Sequence, residues 1–193
     1  MACSGIYAPL RARSQVPMCK VKYASKQNAH RNFVYHIHGR GGRIATDSWG
    51  AVMRQVTALL SVQTERQGLL EITRRIIDWT NVQDVHEGLL TIFCRHTSAS
   101  LLIQENAAPE VRSDLETFFA RIAPEDPDLY THDDEGTDDM PAHLRTALTQ
   151  VQLTIPLIGG QLALGTWQGI YLFEHRRRPH TRTLALHLIG ERK

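Results

Sequence analysis

Histidines and carboxylates recur near one another in the later part of this 193-residue chain, and these are the side chains that act as general acid and base or hold a divalent metal. His96 opens the run HTSASLLIQENAAPEVRSD, which also carries Glu105 and Asp114. His132 stands among acids in YTHDDEGTDDMPAHL, followed by Asp139 and His143. Gln168 and Glu174 bracket QGIYLFE, and Arg176, Arg177, Arg178 and Arg182 form a basic turn able to grip phosphate or carboxylate in a forked geometry. Each cluster has a plainer alternative. Glu105 and Asn106 serve equally well to end a strand, single histidines make structural hydrogen bonds, and a basic hairpin turn is readily solvated. HExxH, zinc-finger spacing, GKS or GKT and a GxSxG elbow are all missing, so Gly159-Gly160 reads as a turn and Thr97, Ser98 and Ser100 as strand-edge groups.

The elements that must position these groups are legible as patterns. Leu101, Leu102 and Ile103 make an apolar run suited to a strand buried on both faces. Pro109 fits the first position of a helix whose apolar stripe is Val111, Leu115, Phe118 and Ile122, with Asp114 at the rim of that stripe and directed toward the protein or a cleft. Upstream, RQVTALLSVQT reads as a strand, LLEITRRIIDWTNVQ as a helix and LLTIFCR as a second buried strand. Pro124, Pro127 and Gly136 break the acidic segment around His132, a long loop of the kind that is more often functional than idle. Asp138 or Asp139 caps a helix beginning near Pro141, with Leu144, Ala147, Leu148 and Val151 as its apolar side. The last third reads as antiparallel strands, QVQLTIPLI, QLALG, TWQGIYLFEHR and TLALHLIG, the third of them central because both its faces are largely apolar.

The net charge of +2 conceals two kinds of sequence. Residues 1–52 hold eight Lys and Arg against one acid, Asp47, giving +7; the remainder holds fourteen against nineteen, giving −5. The basic segment lacks any sustained period and reads as a disordered extension, either an organellar targeting segment or an over-extended start, with residues 53–193 as the domain. No interleaved aromatics argue for nucleic acid, and no run is apolar enough to span a bilayer. Three cysteines without a CxxC, with Cys94 in an apolar run, point to a reduced core thiol and a cytoplasmic setting.

Taken together, RHTSASLLIQEN with Pro109 and Asp114, YTHDDEGTDDMPAHL, and GGQLALGTWQGIYLFEHRRRPHTR resemble the YjbQ family, whose members are called secondary thiamine-phosphate synthases. The resemblance runs from about Met53 to the end and implies an α+β domain with a mostly antiparallel sheet and covering helices, assembled as a homotrimer. It also implies a weak activity joining a pyrimidine pyrophosphate to a thiazole phosphate with release of pyrophosphate, beside an unidentified main role. Carried over by motif, the polar positions are His96, Glu105, Asp114, His132, Asp139, His143, Gln168 and Glu174. On that footing His96, Glu105 and Asp114 are expected to be catalytic. Gln168, Arg178 and Arg182 are expected to bind a phosphorylated or heterocyclic small molecule. His132, His143, Glu174 and Asp139 are expected to hold a divalent ion, zinc or magnesium. The other function in view is a metal- or ligand-binding homotrimer without turnover.

Overall fold

The computed structural model describes residues 52–192, so the expected basic extension lies outside the described residues apart from Val52. Strand β1, Met53–Thr64, leads through β2, Gly68–Glu71, to helix α1, Thr73–Asn81. Strands β3, Glu87–Cys94, and β4, Ala99–Glu105, precede helix α2, Pro109–Ile122. A 3-10 turn at Pro127–Leu129 interrupts the acidic loop before helix α3, Asp139–Leu148. Strands β5 Gln152–Ile158, β6 Gln161–Leu162, β7 Gln168–Glu174 and β8 His180–Glu191 complete the chain.

Every pairing is antiparallel. One sheet has the order β1-β8-β3-β5-β6 and the other β2-β7-β4. The two sheets face each other across a core in which Leu90, Ile92, Ile155, Leu184 and Leu186 meet Leu101, Ile170 and Leu172, with Ile72 and Ile76 of α1 closing one side. This is the α+β architecture that the family resemblance implied, with β7 central in the smaller sheet as its two apolar faces indicated. Strict alternation in β5 and β8 buries one face of the larger sheet and leaves the other wet. Gly159 and Gly160, at φ 60° and 80°, make the two-residue turn that joins β5 to β6, where positive φ at both positions suits the twist of the strands. No helix among the described residues is long and apolar enough to cross a membrane.

Three local expectations are corrected. Gly68–Glu71 is a strand rather than the start of a helix, because its backbone pairs with β7. In α2 the packed side chains are Leu115 and Phe119, which lie against Leu69, Tyr171 and Phe173, the two phenyl rings of Phe119 and Phe173 meeting edge to face at 5.3 Å. Phe118 and Ile122 stay exposed, and Asp114, one turn before Phe118, is exposed with them. In α3 the buried face is Pro141, Ala142, Arg145 and Thr146 rather than the side marked by Leu148, which is 62% exposed. Arg145 is held inward by donating to the Ala123 carbonyl at 2.8 Å, a partner 22 residues away that no local periodicity reveals.

Candidate active site

Asp139 and His143 sit four residues apart at the start of α3, one turn above the other on the same face. The acidic loop folds back so that His132 Nε2 comes within 2.8 Å of Asp139 Oδ2, and His143 Nε2 lies 3.7 Å from Asp139 Oδ1. Among the described residues these three bring one ligand-type atom each within 4.8 Å of one another. Ligand bonds of about 2.1 Å in a tetrahedron need edges of about 3.4 Å, so small side-chain movements suffice. The two rings are half exposed while Asp139 is 2% exposed, a buried anion reached from one open side.

The proton positions are fixed by neighbours. His143 Nδ1 is 3.0 Å from the Thr97 carbonyl, which only accepts, so Nδ1 carries a hydrogen and Nε2 faces Asp139. Arg176 anchors the acidic loop: it donates to Asp139, to Asp138 at 3.2 Å and to Glu135 through both side-chain and main-chain oxygens. Burial pushes the Asp138 carboxyl up, but the Arg177 N–H and the Arg176 guanidinium outweigh it and hold that group below the ordinary carboxylate value. Asp138 thus ties the loop to the basic turn instead of capping α3.

His96 follows β3 and accepts the Thr183 N–H at Nε2, 2.7 Å away, which leaves Nδ1–H as its remaining donor. Burial, and after it the Arg182 charge, lower its pKa and keep the ring neutral. His96 and His143 share the wall of a hollow of about 800 Å³ that also includes Phe93, Arg95, Ala147 and Val151. Cys94 lies in the same wall with its thiol pushed up to about 11 by burial, an inert core thiol as the sequence suggested.

The other expected site residues stand apart. Glu174 is fully buried and accepts from Arg182 Nε at 2.7 Å, from Arg182 Nη2, from the Thr64 hydroxyl at 2.8 Å and from the Arg176 N–H at 2.9 Å. Burial raises its pKa, and those donors together bring it below the ordinary value. It does not join the His132 group, and Arg182, committed to it, is not a free phosphate ligand. Glu105 pairs with Gln168 at the end of the small sheet opposite Ala99 and Glu174, about 20 Å along the strand. There Gln168 accepts the Gly165 N–H and lines a separate pocket with Asn106 and Asn81. Asp114 is on the exposed side of α2, and Arg178 is exposed on the basic turn. The structure therefore brings together His132, Asp139 and His143, with His96 nearby; Glu174 and Arg182 form their own buried pair close to His96, Glu105 and Gln168 stand at the far end of the small sheet, and Asp114 and Arg178 are exposed. Arg95 is the neighbour to which sequence reasoning gave no role; Arg176, expected to grip phosphate or carboxylate, instead anchors the acidic loop, and Thr97, expected at a strand edge, holds His143 through its carbonyl, which leaves no mark in side-chain spacing.

Comparison with known proteins follows the same motifs. The family described as UPF0047 protein YjbQ-like matches residues 58–191. A UPF0047 protein of Synechocystis is 49% identical over 144 residues, 75% of this chain and 98% of the relative. The UPF0047 protein YjbQ of Escherichia coli O157:H7 is 39% identical over 133 residues, 68% of this chain and 96% of the relative. Among solved structures, a YjbQ/UPF0047 family protein of Clostridium acetobutylicum has a TM-score of 0.62 at 31% identity, covering 68% of this chain and 98% of its own. A protein of unknown function from Sulfolobus solfataricus has the same fold, with a TM-score of 0.67 at 23% identity over 72% of this chain and all of its own.

Proposed function

The chain belongs to the UPF0047 YjbQ-like family, and from that premise we propose a low-turnover enzyme in which His132, Asp139 and His143 hold a divalent cation beside a phosphorylated heterocyclic substrate. The observation that carries this reading is that His132, Asp139 and His143 bring one ligand-type atom each within 4.8 Å of one another, with the His143 ring held in place by the Thr97 carbonyl. Two imidazoles and one carboxylate suit zinc, whereas magnesium prefers oxygen ligands and retains its waters. A cation there supplies the positive charge that a departing pyrophosphate needs. Arg176 holds Asp139 in place, and His96, neutral with a proton on Nδ1, is the group able to donate to a leaving oxygen. The particular reaction, an aminopyrimidine pyrophosphate joined to thiazole phosphate, is taken from the family resemblance.

One observation favours a second reading, a metal- or ligand-binding assembly without turnover: neither Glu105 nor Asp114, the two carboxylates expected to be catalytic, lines the hollow. Both readings include the homotrimer, supported by Leu59, Leu89, Phe93 and Ile189 exposed together on the outer face of the larger sheet. The deciding assay measures pyrophosphate release by the zinc-treated protein and its Asp139→Asn form. Release by the parent that disappears in the variant is the expected result. Equal release by both would remove the enzyme reading, and retained zinc without release would leave the binding one.

A further inference from the structure

We propose that Arg95 and His96 form an anion subsite in the hollow, which takes the phosphate or pyrophosphate of a small molecule whose ring rests on Phe93, Ala147 and Val151. This rests on the reading of the hollow as the substrate site. Its volume of about 800 Å³ is that of a small-molecule pocket, and the residues lining it include one arginine, two histidines and no acid. A concave surface with that balance concentrates anions.

The neighbouring arginines are committed. Arg176 is held by Glu135, Asp138 and Asp139, Arg182 by Glu174, Arg177 by Glu125 and Arg145 by the Ala123 carbonyl. Among the described residues Arg95 has no carboxylate within ion-pair distance, and its guanidinium keeps its full fork of donors for a ligand. Its main chain is fixed, because the Arg95 N–H donates to the Thr183 carbonyl at 3.2 Å while the Thr183 N–H donates to His96 at 2.7 Å. That reciprocal pair fixes the Arg95 main chain and the His96 ring at the end of β3, where both residues line the hollow. His143, in the same wall, ties the subsite to the proposed cation, so an anion can lie between the guanidinium and the His132 group. Apolar Phe93, 42% exposed, offers its ring to the uncharged part of the ligand.

The test is calorimetric titration of the full chain with inorganic pyrophosphate, in the zinc-treated and the chelator-stripped states, for the parent, Arg95→Gln and Arg121→Gln. Arg121, exposed in the last turn of α2, controls for lost charge alone. The expected result is binding by the parent and by Arg121→Gln, weakened about tenfold or more in Arg95→Gln with its zinc content unchanged. Binding by Arg95→Gln as tight as by the parent, or no pyrophosphate binding by the parent, overturns the subsite. If the parent takes up no zinc yet binds pyrophosphate through Arg95, the cation reading fails and the subsite stands.

Discussion

Glu174 and Asp139 are both buried carboxylates and both are touched by Arg176, Glu174 through the backbone N–H and Asp139 through the guanidinium. They are nevertheless opposite kinds of site. An ionised carboxylate has about four acceptor positions, and at Glu174 four donor contacts fill them, from Arg182 twice, Thr64 and Arg176. Asp139 meets one guanidinium donor and one imidazole, with a second imidazole nearby, and keeps acceptor capacity on its open side. Burial alone does not make an acid a ligand. What decides is whether its lone pairs are already spent on the protein's own donors, as they are at Glu174, where the ion pair locks β7 to β8 and β1.

That contrast can be broken experimentally, and the largest effect belongs to the closed cluster. Arg182→Met leaves Glu174 buried without its charge partner and is expected to cost about 3 to 5 kcal/mol in denaturant unfolding. Where the variant still folds, its zinc uptake should match the parent's; selective loss of zinc would show that the two carboxylates work as one site. Next in size is an acid effect from His175, which follows Glu174 and is fully buried against Phe173 and Ser100. Burial first, then the Arg145 charge, push its pKa down to about 3 from 6.5. Between those values the unfolded chain binds a proton that the folded one refuses, so stability falls as pH drops through the window, by roughly 3 kcal/mol down to pH 4. Glu174 adds to this below its ordinary value of 4.5: its lowered pKa contributes stability above that pH, and the contribution fades as pH falls through the folded value. Unfolding measured from pH 7 to 4 should show the slope, and a flat profile would mean that water reaches His175. The smallest effect is Asp114→Asn, expected to change stability by less than about 0.5 kcal/mol and to leave zinc content and turnover alone, because the side chain is exposed on α2. A large loss of turnover there would return a carboxylate to the chemistry and redraw the site.

Much of the fold was legible because alternation in β1, β5 and β8, and the two apolar faces of β7, are local properties of the sequence. The split into two sheets was not, since β3 and β4 are consecutive yet pair with different partners, and that choice is made by contacts far apart in the chain. Apolar stripes misplaced the faces of α2 and α3, because Phe118 and Leu148 remain exposed while Glu116 and Arg145 turn inward to the Leu69 N–H and the Ala123 carbonyl. In the candidate site Asp139 and His143 were legible through the family motif, and α3 sets them on one face, but the return of His132 depends on the Arg176 anchor. Glu105 and Asp114 were grouped with His96 through closeness in sequence, whereas an extended strand carries Glu105 about 20 Å away.

The most direct test of the central claim is zinc content per chain of the purified full-length protein and of its His132→Ala/His143→Ala form, with oligomer size measured for both. The account predicts about one zinc per chain in the parent and none in a variant of unchanged size, whose unfolding midpoint matches that of the chelator-stripped parent because both rings are half exposed and carry little packing. Equal zinc in the two proteins, or none in the parent after incubation with zinc, would contradict it.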